Sequence, residues 1–466
     1  MMKTYVNNYW SMYVDFINDF NSLVYRGFTL SYIFQFPTLI RHNQEVWRSL
    51  NDENFRDNLK SNIQHEKEVQ AIFDQYLNKY QNKIQSNVLD GKVLVFDDNI
   101  LRFPPKTFND YFSRTKTLIL LRNDQIKEKY GIPIVNLNKY SRPTNVAITK
   151  LRAEAKHLFH RYRNHYLYSD KTFQAVLLRK IADVVNCIEE CTNILKNVAI
   201  SCIVVSGSQS FISRILSFAA AKKGIPTICM QHGIIANGFG YLPKICTINA
   251  VYGNFEVDWY VNRGCSEDAL AIIGHPRFDQ VFQYNSISRS TFHERLALDP
   301  NKKTILLVVR GERDVVKWRI IIEHITKNTD AQLIIRDFPS TEPHLLTKEF
   351  PTVQSTDAMH LYDILPNVDG VISYPSTVGL EAMLLKKPTF ILKKRIPNDT
   401  GYFELLDSFA QKDPIQLAEL VIQFLQDDRI KKLQHKQMKQ FLRYAYSKKT
   451  MSGQRLKKLI HQLTRK

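Results

Sequence analysis

The sequence predicts an α/β protein of two domains, each with a parallel β-sheet, and three observations support this fold class. The chain has 466 residues, which is more than a single hydrophobic core usually accommodates. Its composition, with 44% apolar and 23% charged residues, is typical of a globular protein. From Lys92 onward, strand-sized apolar runs alternate with longer stretches of helical period. After a polar stretch around 285–290 the alternation starts again. Such continuously apolar runs are typical of parallel strands covered on both faces.

Four segments are predicted along the chain. We expect a helical N-terminal extension at 1–90, a first Rossmann-like domain at 91–285, a second one at 300–413, and basic C-terminal helices at 414–466. The predicted strands of the first domain are Val93–Phe96, Thr117–Leu121, Pro133–Leu137, Val198–Val205 and Pro226–Met230. Those of the second domain are Thr304–Val309, Ala331–Ile335, Gly370–Ser373 and Pro388–Leu392. The longest predicted helix is Phe173–Leu195.

The N-terminal extension is unusually aromatic. Four aromatic residues share one face of its first helix: Tyr9, Tyr13, Phe16 and Phe20. The opposite face carries Asp15, Asn18 and Asp19, which argues against contact with an anionic bilayer. We therefore expect the aromatic face to pack against the body of the protein.

The charge of the chain is concentrated at its C-terminus. Lys and Arg (64) exceed Asp and Glu (45), for a net charge of +19, and residues 429–466 hold 13 Lys or Arg and no acidic residue. Such a segment is expected to be attracted to an anionic surface, here a membrane, although a solvated helix face is the alternative. No signal pattern or membrane-length apolar run is present, so we expect a cytoplasmic protein, peripheral at the inner face of the membrane. The six cysteines lack zinc spacing and are expected to be reduced thiols.

The strongest candidate for chemistry follows the apolar run that ends at Met230. His232 lies between Gln231 and Gly233, and a glycine permits a sharp turn. In open parallel sheets, ligands bind at the carboxyl ends of the strands. A neutral imidazole there could take a proton from an acceptor hydroxyl, while a hydrogen-bonded structural histidine is the alternative.

Two other strand ends of the first domain carry polar residues. Ser206, Gly207 and Ser208 precede a predicted helix, so their backbone N–H groups could bind an anion or the serines could simply cap the helix. Asp97 and Asp98 could hold a divalent metal, but adjacent acids in a turn are more often structural, and we predict no metal site.

The second domain has a candidate anion site after its strand Gly370–Ser373. Ser376 or Thr377 would cap the next helix, whose free N–H groups could receive a diphosphate, and Glu381 lies one turn further on, where it could accept the hydroxyls of a ribose. An ordinary capping box is the alternative. Arg310 and Arg313 follow another strand and could neutralise phosphate charge or form surface ion pairs.

Three motifs in this order resemble those of GT-B transferases. They are Met230–Gly233, Gly274–Asp279 and Ser376–Ala382, the last closing on Lys387–Pro388. The resemblance is to bacterial surface-polysaccharide enzymes, namely capsule and spore-coat polysaccharide proteins and the CDP-glycerol glycerophosphotransferase-like group. It covers roughly residues 195–400.

The resemblance implies two Rossmann-like domains facing across a cleft, with the acceptor on the first and a nucleotide-activated donor on the second. His232 would be the base for the acceptor hydroxyl. The implied donor-binding residues are Arg310, Ser376, Thr377, Gly379 and Glu381, and other implied cleft residues are Gln231, Gly233, Arg277 and Arg336. The resemblance implies no metal in the chemical step and no cofactor beyond the donor substrate.

One departure from the family pattern concerns the second domain. Many relatives carry Lys/Arg-Pro-His-Pro after a strand, whereas this chain has Arg336, Asp337, Phe338 and Pro339, so that Phe338 replaces the histidine. This favours glycosyl transfer over polyol-phosphate transfer, or indicates altered activity.

The sequence therefore predicts a glycosyltransferase that moves a sugar from a nucleotide-activated donor onto a cell-surface or spore-coat polysaccharide, with a lipid-linked or polysaccharide acceptor. The alternatives are a CDP-polyol glycerophosphotransferase, a nucleotide-sugar epimerase, and a basic nucleic-acid-binding protein. No nucleic-acid-recognition motif is present, so nucleic acid is not an expected partner. The prediction requires the segments around His232 and Thr377 to face each other.

Overall fold

The structure is a computed structural model that describes residues 2–81, 90–122, 125–337, 342–356, 358–394, 397–447 and 450–464. Its strands are β1 (Val24–Tyr25), β2 (Phe28–Thr29), β3 (Lys92–Phe96), β4 (Thr117–Leu121), β5 (Glu128–Lys129), β6 (Ile132–Asn136), β7 (Ile200–Val205), β8 (Thr227–Met230), β9 (Ile248–Val251), β10 (Leu270–Ile272), β11 (Thr304–Val308), β12 (Gln332–Arg336), β13 (Gln354–Ser355), β14 (Gly370–Ser373), β15 (Thr389–Leu392) and β16 (Ala410–Gln411).

Helices connect and cover these strands. They are α1 (Met2–Asp19), α2 (Phe36–Ile40), α3 (Gln44–Ser49), α4 (Glu66–Gln81), α5 (Pro105–Tyr111), α6 (Asn145–Arg161), α7 (Lys171–Asn197), α8 (Phe211–Ala221), α9 (Asn254–Val261), α10 (Gln280–Gln283), α11 (Arg289–Arg295), α12 (Val315–Asn328), α13 (Leu345–Glu349), α14 (Leu361–Ile364), α15 (Thr377–Leu384), α16 (Pro414–Gln426), α17 (Asp428–Ala445) and α18 (Ser452–Thr464).

Two large sheets organise the molecule. The first has the strand order β10-β9-β8-β7-β3-β4-β6-β5, and its neighbours are parallel except for the antiparallel pair β5–β6. The second has the order β13-β12-β11-β14-β15-β16 and is parallel throughout. The predicted fold class, α/β with two parallel sheets, is confirmed.

The pairing registers bring particular strand ends together. Val205 of β7 lies opposite Cys229 of β8, and Val95 of β3 lies opposite Val204 of β7, so the segments after these three strands leave the sheet side by side. In the second sheet, Val308 of β11 lies opposite Ser373 of β14. The candidate residues that follow β11 and β14 are therefore neighbours as well.

The nine predicted strands are all present, with ends that differ by at most two residues. Three strands of the first sheet were not predicted, namely β5, which is only two residues long, β9 and β10. β9 contains the polar residue Asn249, and β10 is three residues long and only partly buried, so no long apolar run marks either strand.

The N-terminal extension shares one hydrophobic core with the first sheet and its helices. The ring centroid of Tyr9 lies 4.5 Å from that of Phe239, and Phe20 lies 4.9 Å from Tyr168. The predicted packing of the aromatic face is confirmed. Asp15, on the opposite face of the helix, is buried, and its carboxylate accepts hydrogen bonds from the backbone N–H groups of Lys60 (2.9 Å) and Ser61 (2.8 Å).

The C-terminal helices join the two halves of the molecule. α16 packs against α12 of the second domain, whereas Leu456 and Ile460 of α18 pack with Val95 and Cys202 of the first sheet. Within the described ranges, no helix has the length and apolarity that crossing a bilayer requires. All six cysteines are buried free thiols, as predicted.

The contact between α17 and the start of α9 gives the first prediction. A Cβ on Gly253 would lie 2.4 Å from the carbonyl oxygen of Tyr444, whereas a Cβ on Gly240 would have nothing within 4 Å. Gly253→Ala is expected to reduce the free energy of unfolding by about 2 kcal/mol, because the backbone of α17 must move. Gly240→Ala is the matched control, with an expected change within about 0.5 kcal/mol. Equal denaturation midpoints of the two variants would show that α17 does not pack this closely.

A candidate active site at the junction of the two sheets

The turn after β8 is held by buried hydrogen bonds. The Gln231 amide Nε2 donates to Glu256 Oε1 (3.0 Å) and to the Gly233 carbonyl oxygen (2.8 Å). Burial raises the pKa of Glu256 to about 8, and its Oε2 accepts a hydrogen bond from Gly253 N–H (2.9 Å). The side chain of Gln231 is buried and supports the shape of the turn that presents His232.

The imidazole of His232 is partly exposed and stacks on Tyr241, with ring centroids 4.9 Å apart and an interplanar angle of 6°. Burial lowers its pKa, whereas the negative charge of Asp98 and a hydrogen bond to the backbone of Ser206 oppose this shift. The ring is therefore neutral at neutral pH. Its Nδ1 lies 3.4 Å from the position that a Cβ on Gly207 would take.

Asp98 connects the ends of β3, β7 and β8. Its Oδ2 accepts a hydrogen bond from Ser206 Oγ (2.6 Å), and its Oδ1 accepts from the backbone N–H groups of Ile100 (3.0 Å) and Leu101 (2.9 Å). The alternative in which Ser206 or Ser208 caps the following helix is wrong. α8 begins at Phe211, with Ser210 at the N-cap position.

The two adjacent acids have separate partners. Asp97 forms an ion pair with Lys129 (2.7 Å), whereas Asp98 faces Ser206 and His232. Over the described part of the chain, no group of three or more His, Cys, Asp or Glu side chains is arranged to hold a metal ion.

At the start of α15, no N-cap side chain accepts a hydrogen bond from the backbone N–H groups. Ser376 is at the N-cap position, but its hydroxyl lies 3.0 Å from Ser373 Oγ and makes no capping hydrogen bond. The capping-box alternative is therefore wrong for this helix. Ser376 and Thr377 are partly exposed, so the positive end of the helix dipole is accessible to an anion.

The segments around His232 and Thr377 meet, as the prediction requires. A Cβ on Gly233 would lie 3.8 Å from Thr377 Cγ2 and 3.3 Å from the hydroxyl oxygen of Tyr241. The turn that carries the candidate base in the first domain therefore borders the helix start in the second. A side chain at Gly233 would fill the space between them.

A buried ion pair joins the two domains beside this contact. Arg277 Nη2 lies 3.2 Å from Glu381 Oε1 and 3.4 Å from Oε2, and their side chains are only 12% and 2% exposed. Tyr362 Oη donates a hydrogen bond to Glu381 Oε1 (3.0 Å). The Glu381 carboxylate thus has protein partners in this arrangement, and its contact with a ribose stays a prediction.

The motif Gly274–Asp279 positions Arg277. His275 is fully buried, its Nδ1 accepts a hydrogen bond from Arg277 N–H (3.1 Å), and burial holds its pKa well below the usual value. Asp279 accepts hydrogen bonds from the N–H groups of Ser452 (2.7 Å) and Gly453 (2.9 Å) at the start of α18. The motif therefore fastens the end of the first sheet to both α15 and α18.

A cationic cavity of about 230 Å³ adjoins the start of α15. It is lined by Ala236, Arg310, Arg313, Asp314, Trp318, Tyr374, Pro375 and Lys394. Arg310 and Arg313 are exposed at its wall, and Lys394 pairs with Asp314 (3.1 Å). Three cations against one carboxylate give this cavity a positive field suited to a phosphate group.

Gly379 and Arg336 were also predicted as site residues. A Cβ on Gly379 would lie 3.2 Å from Ile391 Cδ1, so this glycine permits close packing of α15 on β15. Arg336 Nη1 donates to the carbonyl oxygen of Met359 (2.8 Å). Phe338 and Pro339 lie outside the described residues.

Three residues at the candidate site, each from a distant segment of the chain, were not predicted from the sequence. Tyr241 stacks on the candidate base, Tyr362 holds Glu381, and Lys394 enters the cationic cavity. Asp98 was considered only as a metal ligand. Its place directly after a strand is the one local signal that could have assigned it to the site.

Comparison with known proteins gives matches of overall chain path only. No protein-family model matches the chain, and no curated protein sequence matches it. Among solved structures, the wall teichoic acid polymerase TagF aligns with 14% identity and a TM-score of 0.47, over 92% of this chain and 98% of that chain. A UDP-N-acetylglucosamine 2-epimerase aligns with 14% identity and a TM-score of 0.46, over 75% of this chain and 90% of that chain. HepE of Anabaena, in complex with UDP and glucose, aligns with 11% identity and a TM-score of 0.47, over 80% and 100%.

At these identities and TM-scores the similarities transfer no activity to this chain. The resemblance of its motifs to capsule and spore-coat proteins stays a prediction.

The electrostatic interaction between Asp98 and His232 can be tested by titration. Asp98→Asn removes the negative charge that raises the pKa of His232, so this pKa is expected to fall further below its usual value. The imidazole resonances of His232 in NMR spectra recorded against pH measure the shift. Asp97→Asn is the control, because Asp97 pairs with Lys129 instead. An unchanged or higher pKa in the Asp98 variant would contradict the assigned interaction.

The interdomain ion pair can be tested by its contribution to stability. Glu381→Gln is expected to lower the free energy of unfolding by about 3 kcal/mol, because it leaves the guanidinium of Arg277 buried without a countercharge. Glu349→Gln, which breaks the exposed pair with Arg319, is the control and is expected to change little. Chemical denaturation measures both. Similar small losses in the two variants would mean that Arg277 reaches solvent.

Proposed function

We propose that this protein is a glycosyltransferase that moves a sugar from a nucleotide-activated donor onto a growing cell-surface or spore-coat polysaccharide. The observation that carries the proposal is the contact between two sites of different chemistry. A neutral imidazole lies on one side, and a helix N-terminus and a cationic cavity lie on the other. A Cβ built on Gly233 would lie 3.8 Å from Thr377 Cγ2, so the two sides are in close proximity. A sugar transferred from a diphosphate to a hydroxyl needs these two environments side by side.

His232 is the proposed base. Nε2 would accept the proton of the acceptor hydroxyl as its oxygen forms a bond to the anomeric carbon of the donor sugar. Burial lowers the pKa of the imidazole and so keeps it in the form that can accept a proton. Tyr241, stacked on the ring, and Ser206, bonded to it, would fix its orientation.

The nucleoside diphosphate is the proposed leaving group, and the second domain would carry its charge. As the bond from the anomeric carbon to the diphosphate breaks, negative charge develops on the phosphate oxygens. The N–H groups at the start of α15 and the cations Arg310, Arg313 and Lys394 would stabilise this charge. The proposal therefore includes no metal or cofactor in the chemical step.

The basic C-terminus would determine where the enzyme meets its acceptor. A growing surface polymer attached to a lipid would keep the reaction at a membrane, and the excess of positive charge in residues 429–466 would hold the enzyme there. We propose that the protein acts at the inner, cytoplasmic face of the membrane as a peripheral enzyme.

The donor can be found by thermal stabilisation of the purified chain. UDP-, CDP-, GDP- and CMP-activated compounds are added one at a time, and a ligand that binds the native state raises the melting temperature. Arg310→Ala/Arg313→Ala is expected to abolish the shift, whereas Arg319→Ala, an exposed arginine outside the cavity, preserves it. Analysis of the product then distinguishes sugar transfer from polyol-phosphate transfer or epimerisation. The proposal is wrong if no nucleotide-activated compound stabilises the protein.

The role of His232 gives a sharper test. With the donor identified, His232→Ala is expected to lower turnover by about 10²-fold or more, since the acceptor loses its base. The melting-temperature shift caused by the donor should remain, because the phosphate site lies in the second domain. His461→Ala, on the exposed side of α18, serves as the control. Retained turnover in the His232 variant would remove this residue from the mechanism.

A further inference from the structure

A second cavity, of about 340 Å³, lies between α17, the end of α15 and α10. It is lined by Phe282, Met383, Leu384, Lys386, His435, Met438, Lys439, Leu442, Arg443, Tyr446 and Ser447. Its volume is in the range of small-molecule sites. None of the residues that the mechanism uses lines it.

The floor of this cavity is apolar. Met383, Met438 and Tyr446 are buried, Leu442 is partly buried, and Phe282 at the rim is 44% exposed. Methionine side chains adapt to irregular and flexible ligands. A floor of this composition suits a hydrocarbon chain and offers little to a sugar or a nucleotide.

The rim of the cavity is cationic. His435, Lys439 and Arg443 follow one another at intervals of four residues and so form a stripe along one edge of α17. Lys386, two residues after the end of α15, also lines the cavity. Lys386, Lys439 and Arg443 are exposed and, among the described residues, make no side-chain hydrogen bond or ion pair. None of the described residues that line the cavity is acidic.

We propose that this cavity binds an anionic membrane phospholipid, with part of an acyl chain on the apolar floor and the phosphate against Lys386, Lys439 and Arg443. Charge complementarity selects an anionic headgroup, and the apolar floor selects a lipid over free phosphate or a nucleic acid. The phenyl ring of Phe282 would enter the interfacial region of the bilayer, where aromatic side chains are favoured.

The location of the cavity links lipid binding to the candidate active site. Met383 and Leu384 lie at the end of α15, and Thr377 lies at its start. The helix has eight residues, so its two ends are about 12 Å apart. A lipid bound at the end of α15 would therefore bring the active site close to a lipid-linked acceptor. Only this last step rests on the proposed function, and lipid binding is measured without turnover, so the two proposals can fail separately.

The test uses the full chain and vesicles of phosphatidylcholine with or without phosphatidylglycerol. We expect flotation with the anionic vesicles only. Lys439→Gln/Arg443→Gln should weaken this binding by about tenfold or more. Lys457→Gln/Lys458→Gln is the matched control, because it removes the same charge from exposed positions of α18 that do not line the cavity, and it should weaken binding by less than about threefold. Equal losses in the two variants would show that only the overall charge of the C-terminus matters and would overturn the proposal.

The contribution of the apolar floor is tested with soluble short-chain phosphatidylglycerol below its micellar concentration. This lipid should raise the melting temperature of the wild type, and Leu442→Gln, which leaves the charge unchanged, should abolish the rise. Inorganic phosphate should have no such effect. A similar rise with inorganic phosphate, or one that Leu442→Gln leaves intact, would exclude an acyl-chain site. Binding of single-stranded RNA in preference to anionic vesicles would also overturn the proposal.

Discussion

The structure depends on one buried ion pair, between Arg277 at the end of the first domain and Glu381 in α15 of the second. Removing two such charges from water costs several kcal/mol per ion, and their attraction offsets this only at hydrogen-bond distance. Tyr362 supplies a third group on the same carboxylate, and Asp279 fastens the motif that carries Arg277 to α18. Together with the C-terminal helices, these contacts hold the two sheets in one relative position. That position brings Gly233 next to Thr377 and creates the candidate site.

The site separates two electrostatic environments over a short distance. On the side of His232, burial favours the neutral imidazole, and Asp98 moderates this effect. On the side of α15, the side chains of Arg310 and Arg313 are exposed to solvent close to the N-terminus of the helix. Arg102 already lowers the pKa of His232, and further cations beside the imidazole would lower it more and make the ring a weaker base. Placing the anion site on the other domain limits this effect, and the ion pair between the domains sets the spacing of the two sites.

The basic C-terminus has two kinds of positive charge. At the start of α17, Arg429 pairs with Asp427 and Lys431 pairs with Asp428. Both acids immediately precede the basic segment 429–466. Further along the helix, Lys439 and Arg443 have no acidic partner among the residues that the structure describes, and they flank an apolar cavity. The folded protein therefore places part of the unneutralised charge at the rim of an apolar cavity, although the sequence distributes basic residues along the whole segment.

Local patterns determined the fold class, because a continuously apolar run of five or six residues identifies a buried strand without reference to the rest of the chain. The same logic located His232 after β8 and Thr377 after β14, since strand ends in parallel sheets carry the functional loops. Only the tertiary structure decided the partners. Arg277 and Glu381 are 104 residues apart, and Asp15 is buried through contacts with a loop 45 residues away. No periodicity in the sequence encodes such pairs, because they form when separately folded elements pack and exclude water between them.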